Sequence, residues 1–447
     1  MAKRPWWGSA YVGLAIIIVL GTCFRIFLCF HFNPLDFIFT DPWRHWINGG
    51  RFPKGAYSGA SDPIGYQVFM FVVRKLSFDN RYLVAFSSAL LSALMPWTYY
   101  RAARALGLQR IPALSIWALI LWTPSLLAIY HYFMMETLLL LFDGLALWAT
   151  ARYLRKGGTY AFLLVVFLWS AAVLTKPTVA PLALVCGLWS VWQRRTPWKT
   201  IGVAAAMVIV MLIPQSIRSE VALGFVAPFG NPWLTKIQLR SNVAYVSGKF
   251  YPHDNKYLHV DAKQSYPLEV SSPSCFVKPL APFSDWQLQR GRQSKTLVIN
   301  IDSAYGERDW KNAYQKFEPD TTTWLQLWRE NILLFLFSPS WPESIGLTWV
   351  DKWEAPSRWI WAPMLLFVLA GNLRLLVQRR LTLLPVAVTC LALVLALQNA
   401  IIFEGRYRKP LEPLLILNLV WIVATWSLPS TSTRDAAAVP AEEPSRG

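Results

Sequence analysis

Residues 6–24 read WWGSAYVGLAIIIVLGTCF. Nineteen residues pass without a charge, directly after Lys3 and Arg4. A helix rises 1.5 Å per residue and a bilayer core is about 30 Å thick, so a run of this length begins a membrane-spanning helix. Leu20-Gly-Thr-Cys23 has the outline of a lipoprotein cleavage site. Thr22 suits the cut poorly, however, and Arg25 with further apolar sequence follows, so the segment reads as an uncleaved signal anchor.

The rest of the chain repeats the pattern. Further spans are expected at 82–100, 111–131, 133–151, 160–175, 177–193, 200–217, 358–373, 382–403 and 410–427, about ten in all. Residues 64–76 are apolar but too short to span, and suit a helix lying at the interface. Charged residues make up only 15% of the chain, well below a soluble domain, which agrees with a polytopic membrane protein. The fold class is therefore an all-α polytopic membrane protein with interfacial helices and a small extracytoplasmic domain.

The formal net charge is +18. Its basic residues cluster in short loops between apolar runs, a topogenic arrangement that argues against nucleic acid as partner and suits membrane lipids or phosphate. Alternate loops carry Arg101, Arg104 and Arg110; Arg152, Arg155 and Lys156; Arg194, Arg195 and Lys199; and Arg374, Arg379 and Arg380, without one acid among them. Those loops are expected inside, with both chain ends. The five cysteines form neither a disulfide framework nor a zinc motif: Cys23, Cys29, Cys186 and Cys390 lie in apolar runs and Cys275 stands alone.

Four regions follow from this. Residues 1–217 form an N-terminal membrane module with a first outer loop at 31–80. Residues 218–357, with turn-rich YPHDNKYLHVDAK and SSPSCFVKP, form an extracytoplasmic domain. Its TTTWLQLWRENILLFLF (321–337) is expected to be an interfacial helix anchored by Trp324 and Trp328. Residues 358–427 return to the membrane, and 428–447 form a disordered cytoplasmic tail.

No P-loop, dinucleotide glycine pattern, zinc-protease motif or nucleophile elbow occurs. The chemistry therefore rests on charges at outer helix ends, each with a plain alternative. In FTDPWRHWINGG (39–50) Asp41-Pro42 reads as a helix start, with Asp capping and Pro in the first turn. Asn48-Gly49-Gly50 then ends that helix, and Trp43 and Trp46 lie on the membrane surface. Asp62-Pro63 repeats the capping logic. Arg25 suits a snorkelling role, and Glu136 a favourable place at a helix N-terminus. Asp143, two turns deeper, is either paired or protonated. Lys176 marks the outer turn LTKPT. GRYRKP (405–410) is harder to dismiss, because three outward cations oppose the positive-inside bias and Arg forks fit phosphate.

Those residues carry a resemblance. In the order Arg25, Asp41, DPIGYQVFMFVVRKLSFDNRYLVAFSSALLSAL, METLLLLFDGLALW, LTKPT and FEGRYRKPLEPLLIL, the chain resembles the GT-C superfamily of polytopic glycosyltransferases. It resembles especially the branch containing lipid A aminoarabinose transferases and protein O-mannosyltransferases. The resemblance implies an inverting enzyme that takes a sugar from a polyprenyl-phosphate donor at the extracytoplasmic face, in a bacterial inner membrane. Asp41 matches the family's catalytic base and Glu136 its second acid. Lys176, Arg406, Arg408 and Arg25 match the donor-phosphate cations. Asp62, Tyr66, Tyr407 and His45 complete the expected substrate-binding set with Glu136. The family's first acid is often followed by another, whereas Pro42 follows here, so a divalent metal is left open. The acceptor is a lipid, a glycan or a protein. Two other readings use the same basic pocket: a transporter or flippase of a lipid-linked sugar, and a polysaccharide polymerase or ligase fed by a polyprenyl diphosphate.

Overall fold

A computed structural model describes residues 7–53, 62–223, 226–230, 346–380, 382–398 and 405–426, with short pieces between 268 and 343. Residues 321–331 with Trp324 and Trp328, most of 218–345, and the tail from 427 lie outside the described residues. The regular structure described is helical apart from two-residue strands, Leu268–Glu269 and Leu297–Val298, paired antiparallel.

The helices run α1 (Trp7–His31), α2 (Thr40–Arg51), α3 (Ile64–Ser77), α4 (Arg81–Ala105), α5 (Arg110–Trp122), α6 (Pro124–Ala128) and α7 (Met135–Lys156). They continue with α8 (Thr159–Thr175), α9 (Ala180–Arg194), α10 (Trp198–Leu223), α11 (Trp349–Glu354), α12 (Arg358–Val377), α13 (Leu383–Gln398) and α14 (Glu412–Trp426). Each expected span falls on helix, the one at 111–131 on two, α5 and α6, with a break between them, while 399–403 of the span at 382–403 lie outside the described residues. Four helical stretches, Ala10–Asp36, Met135–Lys156, Trp198–Val221 and Trp359–Val377, are long and apolar enough to cross a membrane. A fifth arises if Arg110–Trp122 and Pro124–His131, bent by 66°, form one broken span. The apolar helices at Thr159–Thr175, Leu383–Leu397 and Glu412–Trp426 are shorter than that standard. This is a membrane protein with several apolar helices, and among the described residues length and apolarity do not confirm the figure of about ten.

Helix α7 is the centre. It packs along α4 and α8, and α1 packs on α4 and α5. Gly144 makes the α7–α4 approach close: a Cβ there would stand 1.9 Å from Thr98 Oγ1, so a larger residue would force the helices apart. At one end of the bundle two of the basic loops meet, where Arg155 Nη1 reaches the Arg104 carbonyl at 3.4 Å. At the opposite end the start of α7 meets the close of α8.

That opposite end carries α2 and α3, which pack together. Helix α3 buries Tyr66, Met70 and Val73 and exposes Val68, Val72 and Leu76, one turn apart. It thus presents one apolar stripe outward, as an interfacial helix does. The helix ends just past Asn48-Gly49-Gly50, at Arg51, with the Phe52 N–H on the Gly49 carbonyl. Gly49 also lets α2 reach Met70, whose Cβ would be 2.5 Å from a Cβ at that position. One local expectation for α2 is corrected. Trp43 is exposed as expected, whereas Trp46 is buried and stacks on Phe133 at 5.0 Å between ring centres. Arg74 fixes this pair of helices, donating to the Trp46 carbonyl at 3.0 Å and lying over its ring at 4.4 Å.

Candidate active site

The site assembles where α2, α7, the α8 end and the turn before α14 meet. Asp41 is in the first turn of α2, but it does not cap: the helix begins at Thr40, and the preceding Phe39 makes no capping side-chain bond. Both carboxylate oxygens are engaged by guanidinium groups instead. Arg44 Nη1 is 2.8 Å from Oδ1, and Arg406 Nη1 is 2.6 Å from Oδ2. An Arg three residues along a helix faces the same side, which explains the first contact. The second joins segments 365 residues apart.

Asp62 does not cap α3 either, because Pro63 precedes that helix and no side chain caps it. Asp62 Oδ2 receives Arg44 Nε at 3.0 Å and lies 3.5 Å from His45 Nδ1. The His45 ring is buried edge-on to Tyr66, 5.0 Å between centres. Arg44 therefore bridges Asp41 and Asp62, an element that sequence reasoning missed. Its spacing from Asp41 was the available signal.

Glu136 opens α7 and is buried. Lys176 Nζ donates to its Oε1, and Arg406 Nε stands 3.9 Å from the same oxygen. Oε2 has no hydrogen-bond partner among the described residues. Lys176 is delivered by the extended residue between Thr175 and Pro177. Gly65 sets its position from the other side: a Cβ there would stand 2.9 Å from the backbone of Leu174 and Thr175, so α3 can approach the α8 end only without a side chain. The Tyr407 ring closes the group, 4.8 Å from Lys176 Nζ and 5.6 Å from the Arg406 guanidinium carbon.

Electrostatics at Asp41 oppose one another. Burial alone would raise its pKa, but Arg44 and Arg406 outweigh it and hold the carboxyl well below the ordinary range. It is an anion at neutral pH. His45 moves down from its ordinary value: burial leads, and Arg44 adds to it, against the opposing pull of Asp62 and Asp41. The imidazole is neutral at pH 7.

Two expected phosphate cations are not brought to this cluster. Arg25 donates to the carbonyls of Ile120 at 2.7 Å, Leu121 at 2.9 Å and Leu126 at 2.9 Å, and to Ser92 Oγ at 3.1 Å. Pro124 has no N–H for the carbonyl four residues before it, which is that of Ile120. Arg25 thus satisfies the acceptors where the 111–131 span breaks, and backbone oxygens left bare in a membrane are costly. Arg408 is buried, with Glu412 Oε1 at 2.9 Å and the Phe335 carbonyl at 2.6 Å. Lys409 adjoins it, paired with Glu343 at 2.6 Å and donating to the Ser125 carbonyl. Of the three outward cations of GRYRKP, two hold the fold and Arg406 reaches the acids. Asp143 is buried, and neither carboxyl oxygen has a hydrogen-bond partner among the described residues.

Among the described residues no three or more His, Cys, Asp or Glu are grouped to hold a metal ion. A guanidinium on each oxygen of Asp41 is a poor setting for a divalent cation, so no step is derived through one.

The arrangement offers a carboxylate near the surface, a second buried carboxylate, and two cations with an aromatic ring between them. Such a group suits an anionic ligand with a hydroxyl beside it. No curated protein gives a match to the chain. Residues 61–217, which include Asp62, Glu136 and Lys176 but neither Asp41 nor Arg406, match the family described as dolichyl-phosphate-mannose-protein mannosyltransferase, a glycosyltransferase family of the GT-C superfamily.

Proposed function

We propose that the protein is an inverting glycosyltransferase that moves a sugar from a polyprenyl-phosphate donor to an acceptor hydroxyl. The observation that carries this is the meeting of Asp41, Arg406, Glu136 and Lys176 at one end of the bundle. The family match adds a lipid-linked donor of the same chemical class. In the reaction, Asp41 Oδ2 takes the acceptor's hydroxyl proton as that oxygen forms a new bond to the anomeric carbon. The bond from that carbon to the phosphate oxygen breaks on the opposite face, and its electron pair leaves with the lipid phosphate. Lys176 and Arg406 stabilise the departing charge.

The site lies away from the basic loops around Arg104 and Arg155. With those loops inside the cell by the positive-inside rule, the reaction occurs on the extracytoplasmic face of a bacterial inner membrane. The acceptor is a lipid, a glycan or a protein.

The test uses purified full-length protein in detergent with a panel of polyprenyl-phosphate sugars and candidate acceptors. Release of free lipid phosphate together with acceptor glycosylation is the expected result. Movement of an intact lipid-linked sugar across proteoliposomes, without cleavage, would favour transport and overturn the reading.

A further inference from the structure

Asp41, Asp62 and Glu136 face Arg44, Lys176 and Arg406, and each acid has at least one cation against it. Arg218 also acts on Asp62. Lys176 and Arg406 are each already held by a carboxylate, so a lipid phosphate bound to either competes with that carboxylate for it.

The geometry distinguishes the two pairs that face the phosphate. Lys176 and Glu136 are sealed, with side chains 7% and 1% exposed. Arg406 and Asp41 are the open pair, at 16% and 17%. Breaking the sealed pair would strand a buried carboxylate whose second oxygen already lacks a hydrogen-bond partner. Breaking the open pair leaves Asp41 with Arg44 on Oδ1 and with access to water.

We propose that Arg406 is an exchangeable clasp: in the empty site it holds Asp41 Oδ2, and it transfers to the donor phosphate when the donor binds. This rests on the reading that Lys176 and Arg406 receive a lipid phosphate. The transfer uncovers Oδ2 only once the donor is seated, and Arg44 keeps the carboxylate aimed. Donor binding therefore precedes productive acceptor binding. The exchange also makes Asp41 and the phosphate rivals for one guanidinium, and such coupling is reciprocal.

A specific consequence follows from that rivalry. Asp41→Asn weakens the competitor for Arg406, so the inactive variant binds lipid phosphate more tightly than the parent. Farnesyl phosphate is the probe, titrated into the full chain in detergent, with gel filtration and circular dichroism to establish folding. The expected result is a tightening of about 5-fold or more, within the usual range of coupling between sites. In an Arg406→Ala background the same Asp41→Asn change should shift affinity by less than about 2-fold, because the contested group is gone. Asp62→Asn, which removes a cluster charge that is not paired with Arg406, should tighten binding clearly less than Asp41→Asn does.

Equal binding by parent and Asp41→Asn overturns the clasp. So does a tightening that persists without Arg406, or appears equally in Asp62→Asn, since simple charge repulsion then explains it. Absence of farnesyl phosphate binding to every folded variant and to the parent overturns the lipid-phosphate reading itself, and the clasp with it.

Discussion

Arg25 Nη2 lies 2.7 Å from the carbonyl oxygen of Ile120, the acceptor that Pro124 leaves without its helical partner. Arg25→Met fills much of the volume but strands the carbonyls of Ile120, Leu121 and Leu126. Each unmet buried acceptor costs about 1–3 kcal/mol, so the variant should be strongly destabilised. Arg25→Lys should recover part, because a point charge cannot span the set. Thermal unfolding in detergent measures both. A stable Arg25→Met protein would contradict a structural role at the break.

Asp41→Asn should fold and enter the membrane normally, since Asp41 makes no cap. Its amide cannot accept the acceptor's proton, and turnover should fall by about 10²–10⁴. Release of lipid phosphate under saturating donor is the measurement. Near-normal transfer would remove the general-base role.

Arg406→Ala should weaken donor binding and turnover together, by about 2–3 kcal/mol for a lost charged hydrogen bond. Arg406→Lys should restore only part of it, lacking the fork. Steady-state kinetics with varied donor separate the two. Normal kinetics in the Ala variant would reduce the turn to a scaffold.

Gly65→Ala tests positioning rather than chemistry. A methyl there meets the backbone of Leu174 and Thr175 at 2.9 Å, so α3 must shift off the α8 end and Lys176 must move. Activity should drop about tenfold or more while the protein remains folded, as small misplacements of a site do. Unchanged activity would show that the contact relaxes without moving Lys176.

A pH dependence is expected at α11. Burial, opposed by bonds from Thr348 and Tyr132, leaves Asp351 with its pKa raised to about 7. Tyr132 donates to it at 2.8 Å, and Glu343 adds a like charge nearby. Its folded value is above its unfolded one, so its contribution is full below about pH 4 and is lost as pH rises through about 7. Limited proteolysis across that window should show α11 loosening at high pH. Asp351→Asn should flatten this change, and an unaltered profile in that variant would assign it to other groups.

Much of this protein was legible in its sequence because the membrane imposes a coarse code. An uncharged run such as 6–24 has one physical outcome in lipid for a single segment, a helix that satisfies its own backbone, and every expected span is helical apart from the break in 111–131 that Arg25 fills. Basic loops and outer acids likewise mark which helix ends belong together, and so single out Asp41, Glu136, Lys176 and Arg406. Which cations reach the acids was not legible. Arg25, Arg406 and Arg408 are the same residue type at similar helix ends, yet one fills a proline break, one meets Asp41 and one is bound to Glu412. Local sequence favoured caps at Asp41 and Asp62. Packing overrode both, because the guanidinium of Arg44 takes an oxygen of each. Helix formation is set by neighbours in the chain, and charge pairing by neighbours in space. Only the tertiary structure could decide the second.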